Sequence, residues 1–481
     1  MNTKINIQGK FPEILNAVVS VLALGAVSVF CYMAGYSLII PVLLFAIGVH
    51  LNFFQKANIR TFLLLGFLLA ILLFITHGIQ VYTTISHYYI PVAAFIMLTM
   101  LLFKDVQLSF VMAFVCSAVV SLILSGGYGM LFIFFIGSLT GAYFVREART
   151  RGRLITAGFF VSVVHLICLV LLTPHEAVLS TKIFLHHIVY PLLANGFISM
   201  FFVAATLKIF EFLFGVVTNY SLLELSDFNQ PLLKRMILEA PGTYHHSLVV
   251  SNLAESAADV IGADSLLSRV GAYYHDIGKI MKPEYFTENQ VRDVNRHDFI
   301  EPTISRLVIF NHVKEGIELA RKNNLNPVII DFILQHHGTS LMHYFYQRSL
   351  EAAHNGEEVN EEEFRYPGPK PQTREAAIVM LADSAEAAVR SLTEASPVRI
   401  EETVKKIINN KFIDGQLDEC PLTLKEIEKI SSTFIRILSA MYHSRVKYPE
   451  KSNGSHSPKS SEKTKSQLPA DYQERDQDSS A

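Results

Sequence analysis

The sequence lacks tryptophan and has only four cysteines in 481 residues. The cysteines are Cys31, Cys116, Cys168 and Cys420. They include no Cys-x-x-Cys pair and three lie in apolar runs, so neither a disulfide framework nor a zinc ribbon is supported. Lysine and arginine (41) nearly balance aspartate and glutamate (43), which leaves a net charge of −2. No overall basic field therefore points to DNA as a partner.

Long apolar runs fill the first 215 residues, and the remainder of the chain carries most of the charge. A helix needs about 20 apolar residues to cross about 30 Å of hydrocarbon. The runs predict eight membrane spans, at residues 14–34, 37–54, 61–80, 88–103, 106–125, 128–145, 153–173 and 183–215. The fourth and fifth are separated only by a short break at Lys104, so seven spans are the alternative.

Lysine and arginine predict how these spans are oriented. If the charged C-terminal half lies in the cytoplasm, the loops on that side carry nine Lys or Arg residues, whereas the opposite loops carry only Lys182. Such a bias is typical of cytoplasmic loops, so both the N-terminus and the C-terminal half are expected inside the cell. Because no Asp or Glu lies in mid-span, an anchor or sensor bundle is favoured over a transport path.

Three further parts follow the membrane bundle of residues 1–215. Residues 216–240 form a connector in which Asn219 or Ser221 could cap an amphipathic helix that packs on the membrane or on the next domain. Residues 241–447 are predicted to be all-α, because apolar residues recur at helical spacing and no alternating β-branched run stands out. Residues 448–481 are polar and nearly lack aliphatic side chains, which predicts disorder. The predicted helices of the third part cover 247–261, 265–278, 302–323, 327–337, 376–393, 401–409 and 424–443.

Candidate metal ligands are concentrated in this helical part. His275 and Asp276 are adjacent in Gly271-Ala-Tyr-Tyr-His-Asp-Ile-Gly-Lys279. Neighbouring side chains on a helix diverge by about 100°, so the pair reaches two sides of one site, and the two oxygens of Asp276 can bridge two ions. The other candidates are His246, His312, the adjacent His336 and His337, and Asp383. Imidazole and carboxylate suit Mn, Fe or Zn, and two ions can activate water and stabilise a leaving oxygen.

Each candidate has a structural alternative. A single histidine is more often a packed or surface residue, His245 beside His246 is ambiguous, and His297-Asp298 repeats the His-Asp dipeptide. Taken singly, none of these residues indicates a metal site. The whole series of candidates, in this order along the chain, supports a two-metal hydrolytic site. Lys279 is interpreted as a phosphate contact because it follows Gly278 directly after the pair, with a solvated helix-end charge as the alternative. The aromatic residues Tyr273, Tyr274 and Phe286 could stack on a base, but core positions are favoured.

At this point the sequence resembles a known family. The strings Ala240-Pro-Gly-Thr-Tyr-His-His-Ser, Arg269-Val-Gly-Ala-Tyr-Tyr-His-Asp-Ile-Gly-Lys, Phe332-Ile-Leu-Gln-His-His-Gly-Thr and Met380-Leu-Ala-Asp-Ser are similar to the HD superfamily of metal-dependent phosphohydrolases. Within it they resemble the seven-transmembrane-receptor HD hydrolases that degrade cyclic di-AMP in bacteria. The resemblance is specific over residues 220–395, and over the membrane half it is one of architecture.

The resemblance implies a membrane-bound phosphodiesterase of the bacterial cell membrane that converts cyclic di-AMP to linear 5'-pApA. Its cofactors would be two divalent ions, Mn or Fe foremost. Its catalytic residues would include Asp276 and Lys279. One ion would take His246, His275, Asp276 and Asp383, and the other His312, His336 and His337, with Asp276 bridging.

The family's extracellular domain normally lies between the first two spans. Here that loop is only about Ala34 to Ser37, so the domain is expected to be missing. The alternatives are an HD phosphohydrolase of another nucleotide, such as guanosine tetraphosphate or a deoxynucleotide, and a nucleotide receptor that does not cleave. The metal identity and the oligomeric state stay open, with a homo-oligomer as one option.

Overall fold

The computed structural model describes residues 59–172, 185–290, 295–352 and 359–442, with a few isolated positions before residue 59. Within these ranges the chain is helical and contains no strand, and one β-bridge joins Leu341 to Arg365. The predicted all-α fold is therefore confirmed. The predicted spans 14–34 and 37–54, the loop between them and the tail 448–481 lie outside the described residues.

Six α-helices occupy the described part of the apolar half. They are α1 Ile59–Tyr82, α2 Val92–Phe103, α3 Val106–Ile123, α4 Gly127–Val145, α5 Arg151–Leu172 and α6 Tyr190–Phe214. Each coincides with one of the six predicted spans that the structure describes. Five segments here are long and apolar enough to cross a membrane: 63–82, 106–123, 127–145, 151–172 and 185–214.

The break between α2 and α3 is a real helix boundary. Lys104 adopts a left-handed conformation with φ 53°, which ends α2. The Asp105 carboxylate then accepts a hydrogen bond from the Leu108 amide at 2.9 Å and caps α3. A two-residue turn thus separates the helices, because the left-handed residue stops one and the cap starts the next.

The connector begins where α6 ends, at Gly215 with φ 62°. The next helix, α7 (Asn219–Leu225), is capped by Thr218. The prediction that Asn219 or Ser221 caps this helix is therefore wrong. Ser221 instead accepts the Thr218 amide at 3.0 Å and completes a capping box. The buried Glu211 carboxylate also accepts from Thr218, and this contact fixes the cap in place. Helix α8 (Pro231–Glu239) follows.

The remaining helices in the described residues are α9 Pro241–Ile261, α10 Ser265–Tyr274, α11 Pro302–Lys322, α12 Pro327–Gln335, α13 His343–Ala352, α14 Arg374–Arg390, α15 Pro397–Ile413 and α16 Leu424–Met441. All seven predicted helices of this part are present. Helix α9 starts earlier than predicted because Pro241 is suited to a first helical turn. Helix α10 ends at Tyr274, before the predicted Gly278, and a 3-10 turn Ile277–Met281 follows. Helix α13 was not predicted.

The connector packs on the helices that carry the site. Leu222, Leu232, Leu233 and Met236 are buried in one cluster with the inner face of α10, including Tyr274. Burial of four such side chains ties α7 and α8 to this part of the chain. A second cluster joins α9, α14, α15 and α16.

Polar contacts connect the membrane helices with the helical part that follows. The Lys104 ammonium lies 2.5 Å from an Asp264 carboxylate oxygen, and Asp264 caps α10 through the Leu267 amide at 3.1 Å. Tyr220 also donates a hydrogen bond to the Thr150 carbonyl at 3.1 Å. The helix that leads to His275 therefore starts at a residue held by the end of α2.

Candidate metal centre

A glycine allows the central ligand pair to approach α11. His275 follows the last residue of α10 and caps it, and Asp276 precedes the 3-10 turn that contains Gly278. A Cβ atom on Gly278 would lie 1.8 Å from the His312 carbonyl oxygen and 2.6 Å from the Gly316 amide nitrogen. Only glycine lets the two backbones meet this closely, and their contact brings Asp276 beside His312.

One group of ligand atoms surrounds the Oδ2 oxygen of Asp276. His275 Nε2 lies 3.1 Å from this oxygen and His246 Nε2 lies 3.6 Å from it. His246 Nε2 is also 3.1 Å from Asp383 Oδ1. The four residues offer atoms that all lie within 4.8 Å of one another, so they form a group that could hold a metal ion.

A second group surrounds the other oxygen of the same carboxylate. His312 Nε2 lies 3.4 Å from Asp276 Oδ1, and His336 Nε2 lies 3.6 Å from it. His337 completes this group, again within 4.8 Å. Asp276 therefore directs one oxygen to each group. The structure brings all seven predicted ligands together, in the two sets expected.

Backbone carbonyls orient three of the histidines. His275 Nδ1 donates to the Ala272 carbonyl at 2.7 Å, and His336 Nδ1 donates to the Ile333 carbonyl at 2.9 Å. His312 Nδ1 donates to the Ile309 carbonyl. A carbonyl only accepts, so the proton lies on Nδ1 and the lone pair of Nε2 faces the site.

His246 is oriented by a carboxylate that was not predicted from the sequence. Its Nδ1 lies 2.5 Å from Glu386 Oε2, and Glu386 is buried on α14, three residues after Asp383. Burial alone would lower the pKa of His246, but the hydrogen bonds with Asp383 and Glu386 raise it to about 9. The raised pKa means that the imidazole without a metal carries a proton on both nitrogens. A cation bound at Nε2 would replace the proton on that nitrogen. The only sequence signal was the position of Glu386 on the helix face of Asp383.

Two buried atoms at the centre have no hydrogen bond. They are His275 Nε2 and Asp276 Oδ1. His275 Nε2 is 3.1 Å from Asp276 Oδ2, but the geometry is not that of a hydrogen bond. A buried polar atom without a partner costs about 1–3 kcal/mol. Since imidazole nitrogens and carboxylate oxygens are ligands for divalent ions, the donor set fits a pair of such ions.

Lys279 lies at the edge of the first group. Its ammonium is 2.8 Å from Asp276 Oδ2 and 2.9 Å from Glu288 Oε1, and it lies 5.0 Å from the centre of the Phe286 ring. The side chain is 13% exposed, so it is not a solvated helix-end charge. Burial alone would lower its pKa, but the two carboxylates raise it and keep the group charged. Glu288 was not predicted.

The remaining candidates lie elsewhere. His245 is exposed, and His297 Nε2 pairs with the Tyr285 carbonyl at 2.8 Å outside both groups. Tyr273, Tyr274 and Phe286 are buried, as the core interpretation expected.

The site opens towards His337 and Asp383. Their side chains are 20% and 11% exposed, whereas those of the other five ligands are at most 2% exposed. Beside this opening the Tyr366 ring stacks on His337 with a centroid distance of 4.2 Å. A substrate would therefore enter beside these residues.

Two family comparisons agree with this arrangement. Residues 21–218 match the family described as 7TM receptor with intracellular HD hydrolase, and residues 243–388 match the HD domain. The chain belongs to the seven-transmembrane-receptor HD hydrolase family. The HD match spans six of the helices described above, from α9 to α14, and contains all seven ligands.

Named relatives align with most of this chain. The chain is 36% identical over 410 residues to the cyclic-di-AMP phosphodiesterase PgpH of Bacillus subtilis, covering 82% of this chain and 57% of the relative. It is 42% identical over 323 residues to PgpH of Listeria monocytogenes, covering 67% and 44%. The chain thus spans about half the length of these relatives. A crystal structure of the L. monocytogenes PgpH HD domain in complex with cyclic-di-AMP is 50% identical, with coverage of 45% and 100% and a TM-score of 0.44.

Proposed function

We propose that this protein is a membrane-bound, metal-dependent phosphodiesterase that hydrolyses cyclic di-AMP to linear 5'-pApA. The main support is the pair of ligand groups that share Asp276, each within 4.8 Å. The printed names of the two PgpH relatives support the choice of substrate. Membership of an HD hydrolase family supports the class of reaction.

Seven residues would hold the cofactor. His246, His275, Asp276 and Asp383 form one position, and Asp276, His312, His336 and His337 form the other. Two divalent ions bound there, Mn or Fe foremost, would make a bound water acidic and offset charge on the departing oxygen. Among the described residues no cysteine belongs to either group, which favours these harder ions over a thiolate zinc site.

Other side chains would position the substrate. Lys279 keeps its charge within 2.8 Å of Asp276, so it can contact a phosphate oxygen next to the shared carboxylate. Glu386 and the backbone carbonyls keep the imidazoles turned inward. The opening at His337 and Asp383 gives the phosphodiester access to both groups. Asp276 and Lys279 are therefore the proposed catalytic residues.

The proposed location is the bacterial cell membrane, with the helical domain in the cytoplasm. The five long apolar segments and the family match support a multi-pass membrane protein. The nine Lys and Arg residues predicted on one side, against one on the other, support the orientation.

The test uses the full-length protein in detergent with Mn²⁺ and a panel of cyclic and linear nucleotides, with products separated by chromatography. We expect cyclic di-AMP to become pApA, a chelator to stop the reaction, and Asp276→Ala to remove at least one bound ion and all measurable turnover. Asp298→Ala is the matched control, because Asp298 follows the other His-Asp histidine and is 55% exposed. Retained turnover in Asp276→Ala contradicts the proposal. Two bound ions without cleavage of any nucleotide favour the receptor alternative.

A further inference from the structure

Lys411 near the end of α15 directs its ammonium towards the interior. Its Nζ donates a hydrogen bond to the Ser340 hydroxyl at 2.6 Å, and Ser340 is buried, with 7% exposure. Burial lowers the pKa of Lys411, while the charges of Asp383 and Asp414 raise it. The side chain therefore carries its charge in a place where water gives it little support.

This charge is not neutralised by a close ion pair. Across the described ranges, no carboxylate oxygen lies within 4.0 Å of Lys411 Nζ. Lys279 differs, because Asp276 and Glu288 flank it at 2.8 and 2.9 Å. Lys405 on the same helix as Lys411 also differs, since it is exposed and pairs with Glu401 at 2.6 Å. A half-buried ammonium without a carboxylate partner can accept an anionic ligand at little cost.

Lys411 borders the open side of the metal centre. The Ser340 carbonyl accepts a hydrogen bond from the Tyr366 amide at 3.1 Å. The Tyr366 ring in turn stacks on His337. Of the acidic groups near Lys411, Asp383 raises its pKa the most. His337 and Asp383 are the two exposed ligands, so the ammonium lies beside the route that a substrate would take.

We propose that Lys411 binds the second phosphate of the substrate, the one that is not being cleaved. This inference rests on the proposed function. A cyclic dinucleotide carries two phosphodiester charges, and the centre with Lys279 accounts for one. The other phosphate lies across the ring, where a cation outside the centre can bind it. Lys411 supplies that cation and selects substrates with two phosphates over those with one.

The test compares two substrates on the full-length protein with Mn²⁺. One is cyclic di-AMP, and the other is bis(p-nitrophenyl) phosphate, which has a single phosphodiester. Loss of a charged hydrogen bond costs about tenfold to a hundredfold in affinity. We expect Lys411→Met and Lys411→Gln to lower the ratio of kcat/KM for cyclic di-AMP to kcat/KM for the small diester at least about tenfold, mainly through KM.

Conservative and matched variants separate binding from folding. Glutamine keeps a hydrogen bond to Ser340 without the charge, so a loss of the ratio in Lys411→Gln reports on the charge itself. Lys411→Arg should restore most of the ratio, and Lys405→Met should leave it unchanged. An unchanged ratio in both Lys411→Met and Lys411→Gln overturns the assignment of Lys411 alone. A wild-type protein that cleaves only the small diester overturns the proposed function and the assignment with it.

Discussion

Substitution of Gly278 by alanine should separate the two halves of the metal centre. The added methyl group would lie 1.8 Å from the His312 carbonyl oxygen, where ordinary contact begins at 3.4 Å. Both neighbours are backbone atoms, His312 O and Gly316 N, so no side chain can turn away. The 3-10 turn and α11 must therefore move apart by about 1.6 Å.

That movement is large enough to break the shared set of ligands. Asp276 Oδ1 and His312 Nε2 are 3.4 Å apart, and a shift along this line brings them to about 5.0 Å. An ion with bonds of about 2.1 Å cannot join atoms more than about 4.2 Å apart. We expect Gly278→Ala to lose the ion of the His312 group and to lower the free energy of unfolding by about 3 kcal/mol, the upper end of the usual cost of overpacking.

Metal analysis after dialysis, together with thermal unfolding of the purified protein, measures both effects. The variant should retain at most one ion per chain, held by the group around His246, and should not turn over cyclic di-AMP. Gly78→Ala in α1 is the control, because among the described residues nothing beyond the adjacent turns of its own helix lies within 4 Å of the added methyl group. Two ions per chain and an unchanged Tm in Gly278→Ala would refute the reasoning from backbone contact.

Two further predictions follow from buried contacts. Glu386→Ala removes the acceptor of His246 Nδ1, so metal affinity measured by titration should fall about 10- to 100-fold. The circular dichroism spectrum should not change. An affinity equal to that of the wild type would contradict an orienting role for Glu386. A fragment of residues 241–442 lacks the four buried connector side chains, whose burial contributes about 1.5–3 kcal/mol each. Its free energy of unfolding in urea should therefore be at least about 6 kcal/mol lower than that of a fragment of residues 217–442. Equal stability of the two fragments would refute the packing argument.

Much of the fold could be predicted because its signals are local. The membrane helices follow from the length of apolar runs, and α11 and α12 begin at Pro302 and Pro327, as the sequence indicated. Helix α13 was missed because Phe345 is its only buried residue, so it has no apolar stripe to detect. The cap of α7 was predicted at Asn219 or Ser221, one or three residues too late, because Thr218 is also held by Glu211, a contact that follows from the tertiary fold.

Part of the candidate site could be predicted from the sequence, and part could not. The ligands could be selected because residue type and order identify them, above all His275-Asp276 and His336-His337. Glu386 and Glu288 could not, because a carboxylate that supports a ligand has no distinguishing spacing; Glu386 lies 140 residues from the histidine it orients. Lys411 could not be predicted either, because nothing in the sequence distinguishes it from the other lysines of its amphipathic helix.

The distance along the chain between His246 and Asp383 has a consequence for the order of synthesis. These two ligands are 137 residues apart and share one group of the centre. A ribosome makes the membrane helices first, then His246 and the central pair, and Asp383 only much later. No nascent chain that stops before α14 can hold the complete set, so this group of ligands can form only after the membrane helices and the connector have left the ribosome.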